Sequence, residues 1–235
     1  MRNLLLLSNS TNHGQGYLDH AISEVRGLLG TARRLVFVPF ALHDRAAYVA
    51  KARARFATEG LEVDELTANA VGRRLLGSAE AVFVGGGNTF RLLDALQRST
   101  LLHVVRERVI AGMPYLGASA GTNIAAPTIR TTNDMPIVQP ASFEALSLVP
   151  FQINPHYTEA RLRHHGGESR VDRLREFCTA NPTVPVVALR EGSWLEVEGE
   201  AAVLRGPKRA LIYLGESRRS VAPGERVGGP ERSNG

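Results

Sequence analysis

The chain has 235 residues, 43% of them hydrophobic and 22% charged, with Cys178 as its single cysteine. That is an ordinary globular composition, long enough to bury a sizeable core, and it excludes a disordered chain. One thiol excludes an intrachain disulfide and leaves a cysteine-built metal site without partners; no apolar run approaches the ~20 residues that span a bilayer, so the reading is a cytoplasmic protein without membrane contact. The net charge of +5 is concentrated at the end, where residues 201–235 carry seven basic side chains against three acidic ones. No aromatic residue follows Tyr213 to stack bases there, so nucleic acid is set aside as a partner.

In chain order, short apolar runs at residues 4–7, 35–38, 81–84 and 114–117 predict buried strands. Between them, residues 17–29, 44–59 and 89–111 place apolar side chains at three- and four-residue spacing, with Asp44 as an N-cap and Gly60 as a stop, and predict helices. This alternation predicts an α/β fold with a mostly parallel sheet and helices on both faces. A further helix is expected within 168–181, then a continuous apolar strand at 184–189. Alternating residues through 194–204 predict a hairpin turning at Gly199, and a third strand at 210–214 completes a C-terminal β meander. Residues 1–215 thus read as one α/β domain and 216–235, poor in hydrophobic residues, as a loosely ordered basic tail.

The stretch Gly117-Ala118-Ser119-Ala120-Gly121 lies where a predicted strand meets a predicted helix. Its small residues permit a tight turn that lifts Ser119 above the strand end, as in a nucleophile elbow; the bland alternative is a small-residue turn that packs a helix closely on a sheet. A serine nucleophile needs a base, and of seven histidines His156, after the β-type run 151–154 and beside Pro155, has the best context. His164 and His165 lie in a polar, arginine-rich stretch and read as solvated. Asp134, between Ser119 and His156, is a candidate for the acid that orients the base, although Asn133-Asp134 before a proline is also ordinary turn chemistry. Glu159 and Glu191 are the reserves. Only 37 residues separate Ser119 from His156, too few for the α/β-hydrolase order of strands. The run Gly85-Gly86-Gly87 at another strand end can turn backbone N–H groups toward a phosphate or an oxyanion, but it lacks the lysine and the spacing of a phosphate loop. No spacing of histidines suits a metal.

The segments FVGGGNTFRLL, GASAGTN, TTNDMPI and FQINPHY, in this order, resemble the peptidase E family of serine peptidases, the aspartyl dipeptidases, over roughly residues 1–215. The resemblance implies a class I glutamine amidotransferase-like fold with serine in place of the nucleophilic cysteine, and removal of an N-terminal aspartate from Asp-X dipeptides and small peptides without a cofactor. It implies Ser119 as nucleophile, His156 as base, Asp134 as orienting acid, and an oxyanion hole from Gly87 and Ala120. The segment Gly167-Glu168-Ser169-Arg170 resembles that family's Gly-Glu-Thr-Arg motif and makes Arg170 the expected partner of the substrate's side-chain carboxylate, with Asn88 and Gly86 also on the substrate-binding side. Arg173, three residues on, shares the alternative of a solvated helix face. A cyanophycinase-like peptidase and a non-catalytic amidotransferase-like binding domain are the competing readings, and pairing of two copies is compatible with the sequence.

Overall fold

Leu4, Leu5, Leu6 and Leu7 are all buried, which demands apolar cover on both faces of their strand. In the computed structural model, which describes residues 1–160 and 166–228, a helix-covered sheet supplies it. Strands β1 (Asn3–Leu7), β2 (Arg34–Val38), β3 (Glu62–Glu65), β4 (Val82–Val84) and β5 (Tyr115–Ala118) run parallel in the order β3-β2-β4-β5-β1. On one face Leu5, Leu7, Phe37 and Phe83 pack with Val25 of helix α1 (Ile22–Leu29) and Val49 and Phe56 of α2 (Arg45–Ala57). The other face sets Leu4, Leu6, Val36 and Val84 against Leu76 of α3 (Ala70–Gly77), Leu92 of α4 (Thr89–Arg98) and Val105 of α5 (Leu101–Ile110). Each such Leu, Val or Phe contributes about 1.5–3 kcal/mol by leaving water. The single helix expected over 89–111 is two helices, because the chain turns at Thr100, whose φ is 56°.

The short helix α6 (Ala120–Asn123) follows β5 directly. Beyond it, β6 (Gln152–Asn154) and β7 (Val186–Ala188) are parallel neighbours in a second sheet, with helix α7 (Arg170–Ala180) between them in the chain. The expected hairpin is β8 (Trp194–Glu198) with β9 (Ala201–Arg205), and β8 pairs antiparallel with β1, which extends the first sheet to seven strands. The third strand of the expected meander, β10 (Ala210–Leu214), instead crosses to the second sheet and pairs with β7. The loose tail expected from residue 216 is corrected: β11 (Ser217–Val221) pairs antiparallel with β10 along its whole length. Four of its five residues are exposed, so backbone hydrogen bonds rather than burial hold it. Residues 229–235 of the expected tail, like His164 and His165, lie outside the described residues. Among the described residues no helix is long and apolar enough to cross a membrane.

Helix α6 lies so close to β4 that a Cβ on Gly121 would stand 2.1 Å from the Val84 carbonyl oxygen. Gly27, inside α1, has nothing within 4 Å of its missing Cβ. Gly121→Ala should therefore lower stability by about 1–3 kcal/mol, the usual cost of overpacking. Gly27→Ala should raise it by about 0.5–1 kcal/mol by removing backbone freedom from the unfolded chain. Urea denaturation of the two variants checks both signs, and a Gly121→Ala protein as stable as its parent contradicts the packing described.

Candidate active site

The carboxyl ends of the two sheets meet, and the residues just beyond them form a cleft of about 620 Å³ over Ser119 and His156, walled by Asn9, Tyr48, Lys51 and Gly87. That is room for a few residues of peptide. Ser119 holds φ 52° and ψ −108° between β5 and α6, a costly conformation that lifts its side chain above the sheet. Its own N–H donates to the Leu7 carbonyl at 3.0 Å, which anchors the turn to β1. Glycines surround it for a steric reason: a Cβ on Gly86 would lie 3.1 Å from that of Ser119, and one on Gly117 2.7 Å from the Gly121 oxygen.

His156 follows β6, also at positive φ, 55°. Its Nε2 lies 2.7 Å from Ser119 Oγ and its Nδ1 2.7 Å from Glu191 Oε1. The tautomer with hydrogen on Nδ1 donates to Glu191 and accepts from the serine hydroxyl. Glu191 comes from the turn after β7, the parallel neighbour of β6, so adjacent strand ends deliver both residues. Two buried side chains at the end of β1 fix this pair to the first sheet. The Ser8 hydroxyl donates to the Leu189 carbonyl at 2.8 Å and accepts from His156 N–H at 2.9 Å. Asn9 Oδ1 accepts from Gly192 N–H at 2.8 Å, directly beyond Glu191.

The expectation that Asp134 orients His156 does not match this geometry. Asp134 Oδ2 accepts instead from the N–H and hydroxyl of Thr89 at 2.8 and 2.6 Å and lies 3.1 Å from the Thr132 hydroxyl, at the start of α4. Glu159 is engaged with Arg190 and Arg218. The family resemblance placed Asp134 ahead of Glu191, and the pairing of β6 with β7 that brings Glu191 beside His156 is not visible in spacing.

The glycine run divides its N–H groups. Gly85 donates to Val38, and Gly86 to the hydroxyl of Tyr48 at 2.7 Å. Burial pushes the Tyr48 phenol pKa up, with hydrogen bonds to Tyr17 and Gly86 opposing, so it stays a neutral prop under the loop. Tyr48 carried no signal in the sequence beyond its place on an amphipathic helix. Gly87, at φ 130°, has no acceptor for its N–H among the described residues, and neither does Ala120. Asn88 is engaged with the protein on both sides of its amide: Oδ1 caps α4 at Arg91 N–H, and Nδ2 donates to the Met135 carbonyl.

Arg170 opens α7 and donates through Nη1 to the His156 carbonyl. Burial lowers its pKa, while the charges of Glu191 and Asp134 oppose that shift. A cation in the first turn of a helix is disfavoured by the helix dipole, so its position reflects the site rather than helix stability. Arg173 is exposed and 3.8 Å from Glu168. Among the described residues no group of three or more His, Cys, Asp or Glu side chains could hold a metal ion.

The chain is similar to known peptidases over nearly all of its length. Peptidase E of Streptomyces coelicolor is 53% identical over 98% of this chain and 93% of its own, and a probable alpha-aspartyl dipeptidase of Drosophila melanogaster is 47% identical over 90% of each. The fold is shared with the crystal structure of a peptidase from an acI-B1 actinobacterium, at a TM-score of 0.73 and 16% identity over 97% of this chain and 96% of that one. The model of peptidase family S51 matches residues 4–205. The chain belongs to peptidase family S51.

Proposed function

We propose that this protein is a serine dipeptidase that hydrolyses the bond after an N-terminal aspartate in Asp-X dipeptides and small peptides, with Ser119, His156 and Glu191 as its catalytic groups. The observation that carries the reading is the unbroken line from Ser119 Oγ through both nitrogens of His156 to Glu191, 2.7 Å at each step. A non-catalytic binding domain has no use for that line. Ser119 attacks the carbonyl carbon of the aspartate while His156 Nε2 takes the hydroxyl proton, and Glu191 stabilises the imidazolium that forms. The negative oxygen of the tetrahedral intermediate is received by the unoccupied N–H groups of Gly87 and Ala120, helped by the positive end of the helix behind Ser119. His156 returns its proton to the leaving amine, and water then releases aspartate from the acyl-enzyme by the same steps. Arg170 neutralises the aspartate side chain. Its guanidinium offers a planar fork of which one nitrogen is held by His156.

Ser119→Ala should abolish hydrolysis of Asp-X peptides, a loss on the order of 10⁶ in turnover, with the fold intact. Activity above about a hundredth of the parent's would place the nucleophile elsewhere.

Glu191→Gln should lower turnover by about 10²- to 10⁴-fold, since an amide favours the wrong imidazole tautomer. Glu159→Gln should change it by less than about tenfold. Steady-state kinetics of the two variants distinguish the carboxylates, and the reverse ranking would remove Glu191 from the mechanism.

Arg170→Leu should reduce catalytic efficiency on Asp-X by roughly 2–5 kcal/mol, the cost of leaving one charge of a desolvated pair unpartnered, while efficiency on Ala-X changes little. Arg173→Leu should preserve the preference for aspartate. A selectivity ratio that survives Arg170→Leu would contradict the assignment.

A further inference from the structure

Hydrolysis of an Asp-X peptide splits the substrate in two, and Arg170 on α7 provides for only the aspartate. The residue X departs as an amine that takes its proton from His156, so it must lie in space that opens from the Ser119–His156 pair. The 620 Å³ cleft is that space. Its lining comes from the chain just beyond β1, β2 and β4, from Tyr17 and from α2, with no residue of α7.

The α2 wall carries a charge that the proposed reaction does not use. Lys51 lines the cleft one helical turn beyond Tyr48, on the same face of α2. Long side chains on a helix lean back toward its N-terminus, and the Lys51 ammonium rests 4.5 Å from the centre of the Tyr17 ring, itself part of the cleft. Lys51 forms no ion pair among the described residues: Arg55, the next cation along this face, takes both Asp19 and Glu59. Asp44, the one carboxylate that lines the cleft, caps α2 at the Ala47 N–H. Beside Lys51, the Tyr48 oxygen accepts from Gly86 N–H at 2.7 Å and from the Tyr17 hydroxyl at 3.4 Å, which leaves its own hydrogen to donate into the cleft. A cation next to a buried hydroxyl donor that has no acceptor among the described residues suits a carboxylate.

We propose that Lys51, with the Tyr48 hydroxyl, binds the terminal carboxylate of the leaving residue X, so that this wall of the cleft recognises where the peptide ends. This rests on the aspartyl dipeptidase reading and adds the site for the other half of the substrate. One extended residue spans about 3.3–3.6 Å, so a carboxylate stands this close to the scissile bond only when X is the last residue. In a longer peptide a neutral amide takes its place, and the cation goes unmatched. The site therefore favours dipeptides over longer chains with the same N-terminal aspartate.

The test compares Asp-Leu with Asp-Leu-amide, which lacks only the terminal charge, in the parent, in Lys51→Met and in Lys51→Arg. Lys51 is exposed, so the pair it forms is partly solvated. The parent should prefer Asp-Leu by about fivefold or more in kcat/KM at low salt, the scale of such a pair. Added salt should shrink that preference. Lys51→Met should bring the ratio to within about twofold of unity by raising KM for Asp-Leu with kcat unchanged, because the carboxylate is bound equally before and during reaction. It should leave the amide within about twofold of the parent and remove the salt dependence of the ratio, and Lys51→Arg should retain the preference. Equal depression of both substrates in Lys51→Met overturns the proposal in favour of a packing role on Tyr17. A parent that uses the amide as well as the acid overturns it without need of a variant, while Asp-X hydrolysis itself stands. A parent that hydrolyses neither substrate overturns the aspartyl dipeptidase reading and this proposal with it.

Discussion

The hydroxyl of Ser8 joins the two halves of the site. It is wholly buried at the end of β1, donates to Leu189 and accepts from His156 N–H, so one oxygen holds the chain on both sides of the catalytic pair that the second sheet delivers. Asn9 adds the bond to Gly192. Each such bond contributes only about 1 kcal/mol net, but leaving a buried partner unmade costs about 1–3 kcal/mol. The larger consequence is geometric. Ser119 belongs to the first sheet and His156 to the second, and a misplacement of 1 Å between reacting groups costs on the order of 10²-fold in rate. In the proposed mechanism the registry of the two sheets is therefore a catalytic parameter, and the bonds of Ser8 and Asn9 hold it.

Strain accompanies this registry. Ser119 and His156 both sit at positive φ without being glycine, a cost of order 1–3 kcal/mol each that persists only where the surroundings over-determine the backbone. Here the surroundings do so. Ser119 N–H is tied to Leu7, His156 N–H to Ser8, and the His156 carbonyl to Arg170. The glycines of the elbow add no conformational freedom where they are buried; they allow α6 to approach β4 until a single methyl would collide. Arg170 holds the turn that bears His156 and, in the proposed reaction, presents its remaining donors to the substrate.

What was legible in the sequence follows from the range of each signal. The strands through residues 4–7, 35–38, 81–84 and 114–117 are continuous apolar runs, which a doubly covered parallel sheet requires, and they lie within a residue or so of their expected places. The elbow at Ser119 and the glycine run at 85–87 are local devices written in adjacent small residues. The break at Thr100 carries no glycine or proline to announce it, and β11 is a polar strand held by the edge of β10, with no apolar alternation to reveal it. Glu191 was reachable only as a reserve, since its place beside His156, 35 positions earlier, depends on β6 and β7 being neighbours. A carboxylate three residues beyond a buried strand and just before Gly192 was the available local sign. Asp134 shows the converse: the resemblance assigned it to His156, whereas its carboxylate is held by Thr89, 45 positions away in the chain.

The central claim is that His156 is held between Ser119 and Glu191. Its Nδ1 proton, hydrogen-bonded to a carboxylate, should give a ¹H NMR resonance far downfield of the amide region in ¹⁵N-histidine-labelled protein. The account predicts that this resonance persists in Asp134→Asn and is lost in Glu191→Gln. Loss in Asp134→Asn together with persistence in Glu191→Gln would contradict it.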